Sequence, residues 1–456
     1  VYNATDTIAA LATPVGESGI AVIRMSGPQA LDVLSQVLRQ PSGKPFGAWE
    51  HRRLYHGHFV EASGDRVDEV MASIMRGPDS YTGEDVVEIS CHGGLAVVQR
   101  ILHVLFGHAR PAEAGEFTRR AFLNGKIDLI QAEAVADLIH ARTEVQRVAA
   151  ERQLAGELSR RIDSLADDML MLLGDLEARI DFIEEGIEAL DIPGALSRIA
   201  GQRERLDELL ASAPMSRILR DGFRVVIAGP VNAGKSSLFN RLLGESRAIV
   251  TEIPGTTRDV LRETLVIDGI PFVLHDTAGL REDSADRVEQ LGMGRTSEAI
   301  GQADLVLFVL DGSSELPLDP ETRKSLAALD VARSIVLMNK ADLPARTNGG
   351  NTGLPVSAIT GTGLDELRAG MLARTGALDL ARMARERSVL NARLARLLED
   401  AAVELGELSD MIKQSEPLEL VAEKARQALH LYEEATGRRY YDGLLDVIFS
   451  RFCIGK

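Results

Sequence analysis

Apolar positions recur along this chain with two different periods, and the place where one gives way to the other divides it. In the first third the apolar runs are short. Residues 7–23 hold segments broken by Pro14-Val15-Gly16-Glu17-Ser18-Gly19, residues 30–38 read as a helix, 67–75 and 85–89 as strands, and 93–105 as a second helix. Short strands and helices punctuated by Gly-Pro and Gly-Gly predict an α+β domain through about residue 120. From Asn124 the spacing becomes three to four: Leu158, Ile162, Leu165, Met169, Leu172, Leu176, Ile180 and Ile183 form the apolar stripe of one helix. Pro193-Gly194 interrupts this texture, another helix follows to about Ala213, and Pro214 is expected to close the segment. The same period returns with Leu390, Leu394, Leu397, Ala401, Val403 and Leu405, breaks near Pro417, and resumes over 418–432.

Between the two helical stretches the pattern is that of buried parallel strands. Residues 223–228 are an apolar run with paired valines, Gly229 to Ser236 fits GxxxxGK[ST], and Leu238, Phe239 and Leu242 begin a helix. Strand, glycine loop and helix in this order make a phosphate loop: the glycines let backbone N–H groups surround phosphates and Lys235 adds a mobile positive charge. Ser236 is placed to hold Mg²⁺. Two apolar segments around Asp268-Gly269 read as a hairpin leading into Asp276-Thr277-Ala278-Gly279, a DxxG in which Asp276 reaches Mg²⁺ and Gly279 offers its N–H to a γ-phosphate. Two more strands, 304–310 and 334–338, follow, and the second runs into Asn339-Lys340-Ala341-Asp342. A carboxylate at Asp342 accepts from guanine N1 and N2, a pattern adenine does not offer. Ser357-Ala358, with Ile359 beyond, supplies the last contact to the base. The set reads as a GTP site and excludes a generic P-loop ATPase.

Residues 249–259 are the place for a first switch, with Thr257 as second hydroxyl for Mg²⁺. Leu280 follows Gly279 where signalling GTPases carry the glutamine that orients water, and an apolar side chain does not orient water. Glu282, Asp283, Asp286 and Glu289 are the acidic candidates nearby, most of them expected to be solvated loop charge. Asn232 is placed to give an oxygen to a monovalent cation that would stand in for an arginine finger.

Composition narrows the setting. With 456 residues, 45% hydrophobic and 26% charged, the chain is long enough for about three domains. Two cysteines far apart, Cys91 and Cys453, give no disulfide framework and indicate a reducing, cytoplasmic setting. No apolar run approaches the ~20 residues of a membrane span, and the start lacks a signal-peptide pattern. A net charge of −17 argues against general nucleic-acid affinity. Arg110, Arg119, Arg120 and Lys126 come nearest to a basic patch and are expected to be solvated surface charge. Cys91, beside His92-Gly93-Gly94, is expected to pack rather than ligate a metal. Cys453 admits two readings, a nucleophile or a buried small side chain, and the second is the expectation because Arg451 and Lys456 are its neighbours in sequence only.

Taken together these residues resemble the MnmE (TrmE) family of tRNA-uridine-modifying GTPases. The resemblance runs through Asp6-Thr7-Ile8, Thr82-Gly83-Glu84-Asp85, His92-Gly93-Gly94, Gly115-Glu116-Phe117 and Arg120-Ala121-Phe122-Leu123-Asn124. It continues in Gly255-Thr256-Thr257-Arg258-Asp259 and residues 276–282, and ends in Phe452-Cys453-Ile454-Gly455-Lys456. It implies an α+β folate-binding and dimerisation domain over 1–123, an all-α domain from two segments, 124–220 and 379–456, and an inserted α/β Ras-like P-loop GTPase domain over 221–378. The implied nucleotide contacts are Asn232, Ala233, Gly234, Lys235, Ser236, Ser237, Thr251, Thr256, Thr257, Asp276 to Gly279, Asn339, Lys340, Asp342 and Ser357 to Ile359. Potassium is implied at Asn232, Thr251, Ile253 and Thr256, and Mg²⁺ at Ser236 and Thr257.

The implied catalytic residues are Glu289, which helps position the attacking water, Arg281 in the same loop, Lys235, and Cys453 with both its readings open. Arg24, Glu88, Lys126 and Lys456 are implied to bind 5,10-methylene- or 5-formyl-tetrahydrofolate. The family forms a homodimer, dimerises its G domains across the switch face with potassium and GTP, and acts with a flavin-containing MnmG-type partner in a heterotetramer. Its substrate is tRNA, modified at C5 of the wobble uridine U34 with aminomethyl or carboxymethylaminomethyl groups. One departure stands inside the phosphate loop: Pro230-Val231-Asn232 carries its proline one place earlier than the family pattern. The alternative reading, a ribosome-assembly GTPase switch, would share the whole G domain but calls for a second G domain or a basic RNA module.

Overall fold

The computed structural model describes residues 6–181, 190–246, 262–276, 300–314, 318–344, 353–376, 382 and 389–456. The chain forms two compact units, one of Val1–Ile139, Gln153–Gln202 and Asp400–Lys456, the other of His140–Arg152 and Arg203–Glu399.

In the first unit seven described strands, β1 (Ile8–Leu11), β2 (Ser18–Ser26), β3 (Leu38–Arg39), β4 (Leu54–Val60), β5 (Arg66–Met75), β6 (Val86–Gly93) and β7 (Arg110–Pro111), form a sheet in the order β3-β4-β5-β6-β2-β1-β7. Side-chain alternation gives this sheet two apolar faces. Ala9, Ile23, Met25, Ile74, Val87 and Ile89 pack with the helices Ala30–Val37 and Leu95–Leu105. Ile8 and Ala10 pack instead with Phe117 of the short helix Glu116–Leu123.

That short helix corrects the expectation that Arg119 and Arg120 are solvated surface charge. Arg120 is 1% exposed and Arg119 is also buried. Arg120 donates to the Asp6 carboxylate at 2.6 Å, to Glu84 at 3.0 Å and to Glu116 at 3.1 Å, while Arg110 reaches Asp6 at 2.8 Å and Glu116 at 2.6 Å. Arg119 pairs with Asp446 at 2.8 Å. A guanidinium that leaves water needs carboxylates around it, and the sequence spreads them over residues 6, 84 and 116. Only Lys126 of the four is exposed, as expected.

The helical part of this unit contains the long helix Glu157–Asp181 packed along Leu418–Thr436, with the stripe from Leu158 to Leu176 buried as its period predicts. Val403, counted into the stripe of the helix Ala392–Lys413, is 58% exposed. It stands two positions from both Ala401 and Leu405 of the buried row Leu394, Leu398, Ala401, Leu405 and Leu408, and so turns to the other side of the helix. A final helix, Asp442–Phe449, was not read from the pattern because it is only two turns long. Pro214 does not close its segment but lies in the first turn of another helix, Ala213–Asp221, where a missing N–H is harmless.

In the second unit, six described strands, β8 (Phe223–Ala228), β9 (Arg262–Ile267), β10 (Ile270–Asp276), β11 (Leu305–Asp311), β12 (Ser334–Asn339) and β13 (Leu354–Pro355), are ordered β13-β12-β11-β8-β10-β9. All pairings are parallel except β9 with β10, joined through Asp268-Gly269, both with positive φ. One face, including Val225, Ile227, Phe272 and Leu274, packs against the helices Lys235–Ser246 and Leu364–Thr375; the other carries Val226, Ala228, Val306 and Phe308. This is the doubly covered parallel sheet of an α/β fold. Val145, from the helix Glu144–Leu154, belongs to the first of these cores.

Arg120 ties down three chain segments, so Arg120→Met is expected to destabilise the first unit by about 3–5 kcal/mol. Trp49, the one tryptophan, reports this by fluorescence during urea unfolding. Burial pushes the Asp6 carboxyl up, but hydrogen bonds and charge from Arg110 and Arg120 outweigh it and leave it below the usual range. A depressed carboxyl contributes stability above its unfolded value near 4 and loses it as pH falls through the folded value, so the difference between variant and parent should shrink below about pH 4.

Candidate functional site

The nucleotide candidates gather at the carboxyl ends of β8, β10 and β12, the edge where open parallel sheets bind ligands. The loop after β8 has its turn set by backbone that only certain residues adopt. Gly229 has φ 137° and Gly234 φ 89°. A Cβ would stand 2.1 Å from the Val309 carbonyl oxygen at the first and 2.2 Å from Asn339 Nδ2 at the second. Asn232 is left-handed at φ 64°, a conformation asparagine tolerates better than most. Ala233 is buried, and the helix starts at Lys235, so Ser236 and Ser237 lie in its first turn with the N–H groups that favour anions. Lys235 Nζ donates to the Pro230 carbonyl at 2.8 Å.

The NKxD segment is locked to this loop. Asn339 is buried, donates through Nδ2 to the Ala233 carbonyl at 2.8 Å, and accepts at Oδ1 from the Ala358 N–H at 3.2 Å. One side chain thus joins the phosphate loop, the end of β12 and the Ser357-Ala358 turn. Ser357, fully buried, donates to Asp342 Oδ1 at 2.5 Å and orients that carboxylate, and Ile359 is exposed. Lys340, left-handed at φ 65°, pairs with Asp311 at 2.5 Å. Burial raises the Asp311 carboxyl, but hydrogen bonds from Lys340 and Ser313 prevail and hold it low. Asp311 was missed in the sequence; its signal was a carboxylate closing the apolar strand β11, in register with Asn339.

Asp276 ends β10 opposite Ile227. Thr251, Ile253, Thr256, Thr257, Thr277, Ala278, Gly279, Arg281 and Glu289, with the acidic residues 282, 283 and 286, lie outside the described residues.

A second gathering lies in the first unit. Arg24 of β2 and Glu88 of β6 are register partners, and the guanidinium holds the carboxylate at 2.8 Å from Nε and 2.7 Å from Nη2. Arg24 Nη1 also donates to the Gly455 carbonyl at 3.2 Å, with the rings of Tyr81 and Phe117 within 5.7 Å and 5.6 Å. The C-terminal segment is fastened there by main chain: Gly115 N–H to Cys453 at 3.4 Å, Phe117 N–H to the Lys456 carbonyl at 3.2 Å, and a bridge from Ala114 to Ile454. Tyr81 was not singled out in the sequence, and Phe117 entered only within the Gly115-Glu116-Phe117 motif, because single aromatics carry no pattern. Lys126 donates elsewhere, to the Pro78 carbonyl at 2.8 Å.

Cys453 is exposed, which overturns the expectation that it packs. Phe452 takes the inward position beside Phe449 and Phe122, and its neighbour points outward. Cys91 is buried as expected, and burial, with the Asp68 charge, pushes its thiol up to about 11. His92 rests on Asp68 at 2.7 Å.

A phosphate-loop turn and an NKxD segment joined through Asn339, with Ser357 on the Asp342 carboxylate, define a P-loop protein of the GTP-binding class. Residues 129–453 match the model of the MnmE helical domain, and 7–126 match that of the GTP-binding protein TrmE N-terminus. The chain belongs to the MnmE family. The tRNA modification GTPase MnmE of Symbiobacterium thermophilum is 45% identical over 461 residues, and that of Geobacter sulfurreducens 44% over 459, each aligned over 99% of this chain and 99% of its own length. That of Thermotoga maritima is 41% identical, aligned over 99% of this chain and 100% of its own. Among described residues, no helix is long and apolar enough to cross a membrane.

Asp342→Asn should lower affinity for guanine nucleotides on the order of a hundredfold, since two charge-assisted hydrogen bonds are lost, and raise that for xanthine nucleotides. Competition binding with labelled nucleotides checks it; an unchanged base preference removes Asp342 from recognition.

Proposed function

We propose that this GTPase acts in tRNA modification, as the GTP-hydrolysing subunit of a complex that installs aminomethyl or carboxymethylaminomethyl groups at C5 of the wobble uridine U34. The reading rests on the relatives, which carry the name tRNA modification GTPase MnmE along their whole length. It rests equally on one observation, the junction at which Arg24, Glu88 and the Gly455 carbonyl meet. A carboxylate and a guanidinium side by side, flanked by two aromatic rings, suit a reduced folate, whose pteridine edge donates hydrogen bonds and whose tail is anionic. In this proposal Glu88 accepts from the pteridine, Arg24 orients Glu88, and Lys126 and Lys456 meet the carboxylates. The folate, as 5,10-methylene- or 5-formyl-tetrahydrofolate, supplies the one-carbon unit.

For hydrolysis, the loop amides and Lys235 hold the phosphates, and Ser236 with Thr257 and Asp276 holds Mg²⁺. Asn232, together with Thr251, Ile253 and Thr256, is the proposed potassium set, and the left-handed turn at Asn232 suits a side-chain oxygen offered at the loop's tip. Glu289 orients water, with Arg281 beside it. We further propose a cytoplasmic homodimer working with an MnmG-type flavoprotein, G domains that dimerise when potassium and GTP bind, and domains at 1–123, 124–220, 221–378 and 379–456.

Glu88→Gln should weaken binding of 5-formyl-tetrahydrofolate, measured by calorimetry, by about tenfold while GTP turnover stays unchanged. An unaltered affinity would move the folate elsewhere. GTP turnover should be at least about tenfold faster in potassium than in sodium at matched ionic strength, and Glu289→Ala should lower it about a hundredfold with nucleotide affinity retained. Equal rates in both salts would rule out the Asn232 cation, and normal turnover in the variant would rule out Glu289.

A further inference from the structure

The connector between the last two helices carries a surface that nucleotide and folate leave unused. The helix Leu418–Thr436 stops at Gly437, whose φ is 80° and where a Cβ would stand 2.7 Å from Leu129 and 2.8 Å from Phe122. The chain then passes through Arg438, Arg439, Tyr440 and Tyr441 before the helix Asp442–Phe449 begins. These four residues are braced. Arg438 is held by Asp163 at 3.0 Å and Asp167 at 3.4 Å, the Arg439 N–H bonds the Glu433 carbonyl at 3.2 Å, and the Tyr441 carbonyl accepts from Leu444 at 3.0 Å. The tyrosines therefore project from fixed backbone. Tyr440 sets its ring edgewise on Phe122, centroids 5.2 Å apart, and stays 44% exposed; Tyr441 is 63% exposed.

Two arginines flank the tyrosines and the short helix that follows them. Arg439 and Arg451 are exposed and their side chains make no ion pair among the described residues, unlike Arg438, whose charge is answered. Across residues 437–456 four cationic side chains stand against two carboxylates, one of which, Asp446, is taken by Arg119. On a chain of net charge −17, such a stretch is a local inversion. Exposed aromatic faces, with one such arginine adjoining them in sequence and another a short helix away, suit unpaired nucleobases, which stack while their phosphates meet the guanidiniums; duplex RNA buries its base faces and gains only the second contact. Phe122, which supports Tyr440, belongs to the apolar cluster of Phe449 and Phe452, and Phe452 immediately precedes the exposed Cys453.

We propose that Tyr440 and Tyr441, with Arg439 and Arg451, grip a single-stranded stretch of the RNA substrate and hold it beside the C-terminal segment. The inference rests on the tRNA reading above. The test uses the full chain, a tRNA transcript, and a single-stranded RNA and a duplex of equal length, followed by fluorescence anisotropy. Tyr441→Ala should weaken binding of the single strand and the tRNA by about tenfold, Tyr441→Phe should retain it, and duplex binding should not move. Arg451→Ala should lower the slope of log affinity against log salt by about one. GTP turnover of Tyr441→Ala, equal to that of the parent, serves as the folding control; Tyr440→Ala is avoided as the sole variant because that ring also covers Phe122. Parent binding of tRNA with unchanged affinity in Tyr441→Ala and Arg451→Ala would overturn this surface alone and leave the tRNA reading standing. Failure of the parent to bind tRNA at any salt would overturn both.

Discussion

The buried guanidinium of Arg120 is the constraint on which the first unit depends. Removing such a group from water is costly, and its partners Asp6, Glu84 and Glu116 come from the chain's beginning, a loop and its own helix. Satisfying them all fixes the helix Glu116–Leu123 against β1. Once that helix is fixed, the N–H groups of Gly115 and Phe117 stand where the C-terminal segment finds them, and Phe117 stands beside Arg24. The proposed folate site therefore depends on a charge that never meets the ligand.

The nucleotide site has a neutral counterpart to this arrangement. Asn339 has one donor group and one acceptor to share, and it uses them to hold the phosphate loop at Ala233 and the Ser357-Ala358 turn at Ala358. An aspartate there would offer no donor to the Ala233 carbonyl, and an alanine would leave two buried main-chain groups without that partner. The glycine at 234 follows from the same contact, because the Asn339 amide occupies the space a Cβ would need.

Much of this was legible in the sequence, because local order carried it. The phosphate loop, the hairpin at Asp268-Gly269 and the strands of the second unit are each set by a few consecutive residues, and they formed where their pattern put them. The fate of Arg119 and Arg120 was not legible, since a charged residue reads as solvated until partners a hundred residues away are placed around it. Cys453 failed for a related reason: whether it or Phe452 faces inward is decided by Phe449 and Phe122, not by its own neighbours. Pro214 misled because proline ends one helix and opens another equally well, and only the following turn distinguishes them.

The hairpin of β9 and β10 leads into Asp276, one of the residues proposed for Mg²⁺. β9 begins at Arg262, in sequence just after the proposed first switch, and β10 ends at Asp276, the first residue of the DxxG sequence. Within the same unit Arg142 donates to Thr264 Oγ1 of β9 at 3.0 Å, and Val145 packs in the core shared with Ile267 and Ile270. A hairpin clamped at this end resists independent motion, since sliding it by one residue would turn Leu265 and Ile267 away from the core. Register and shared packing therefore tie β9 and β10 to the helix Glu144–Leu154 and oppose slippage between the two strands.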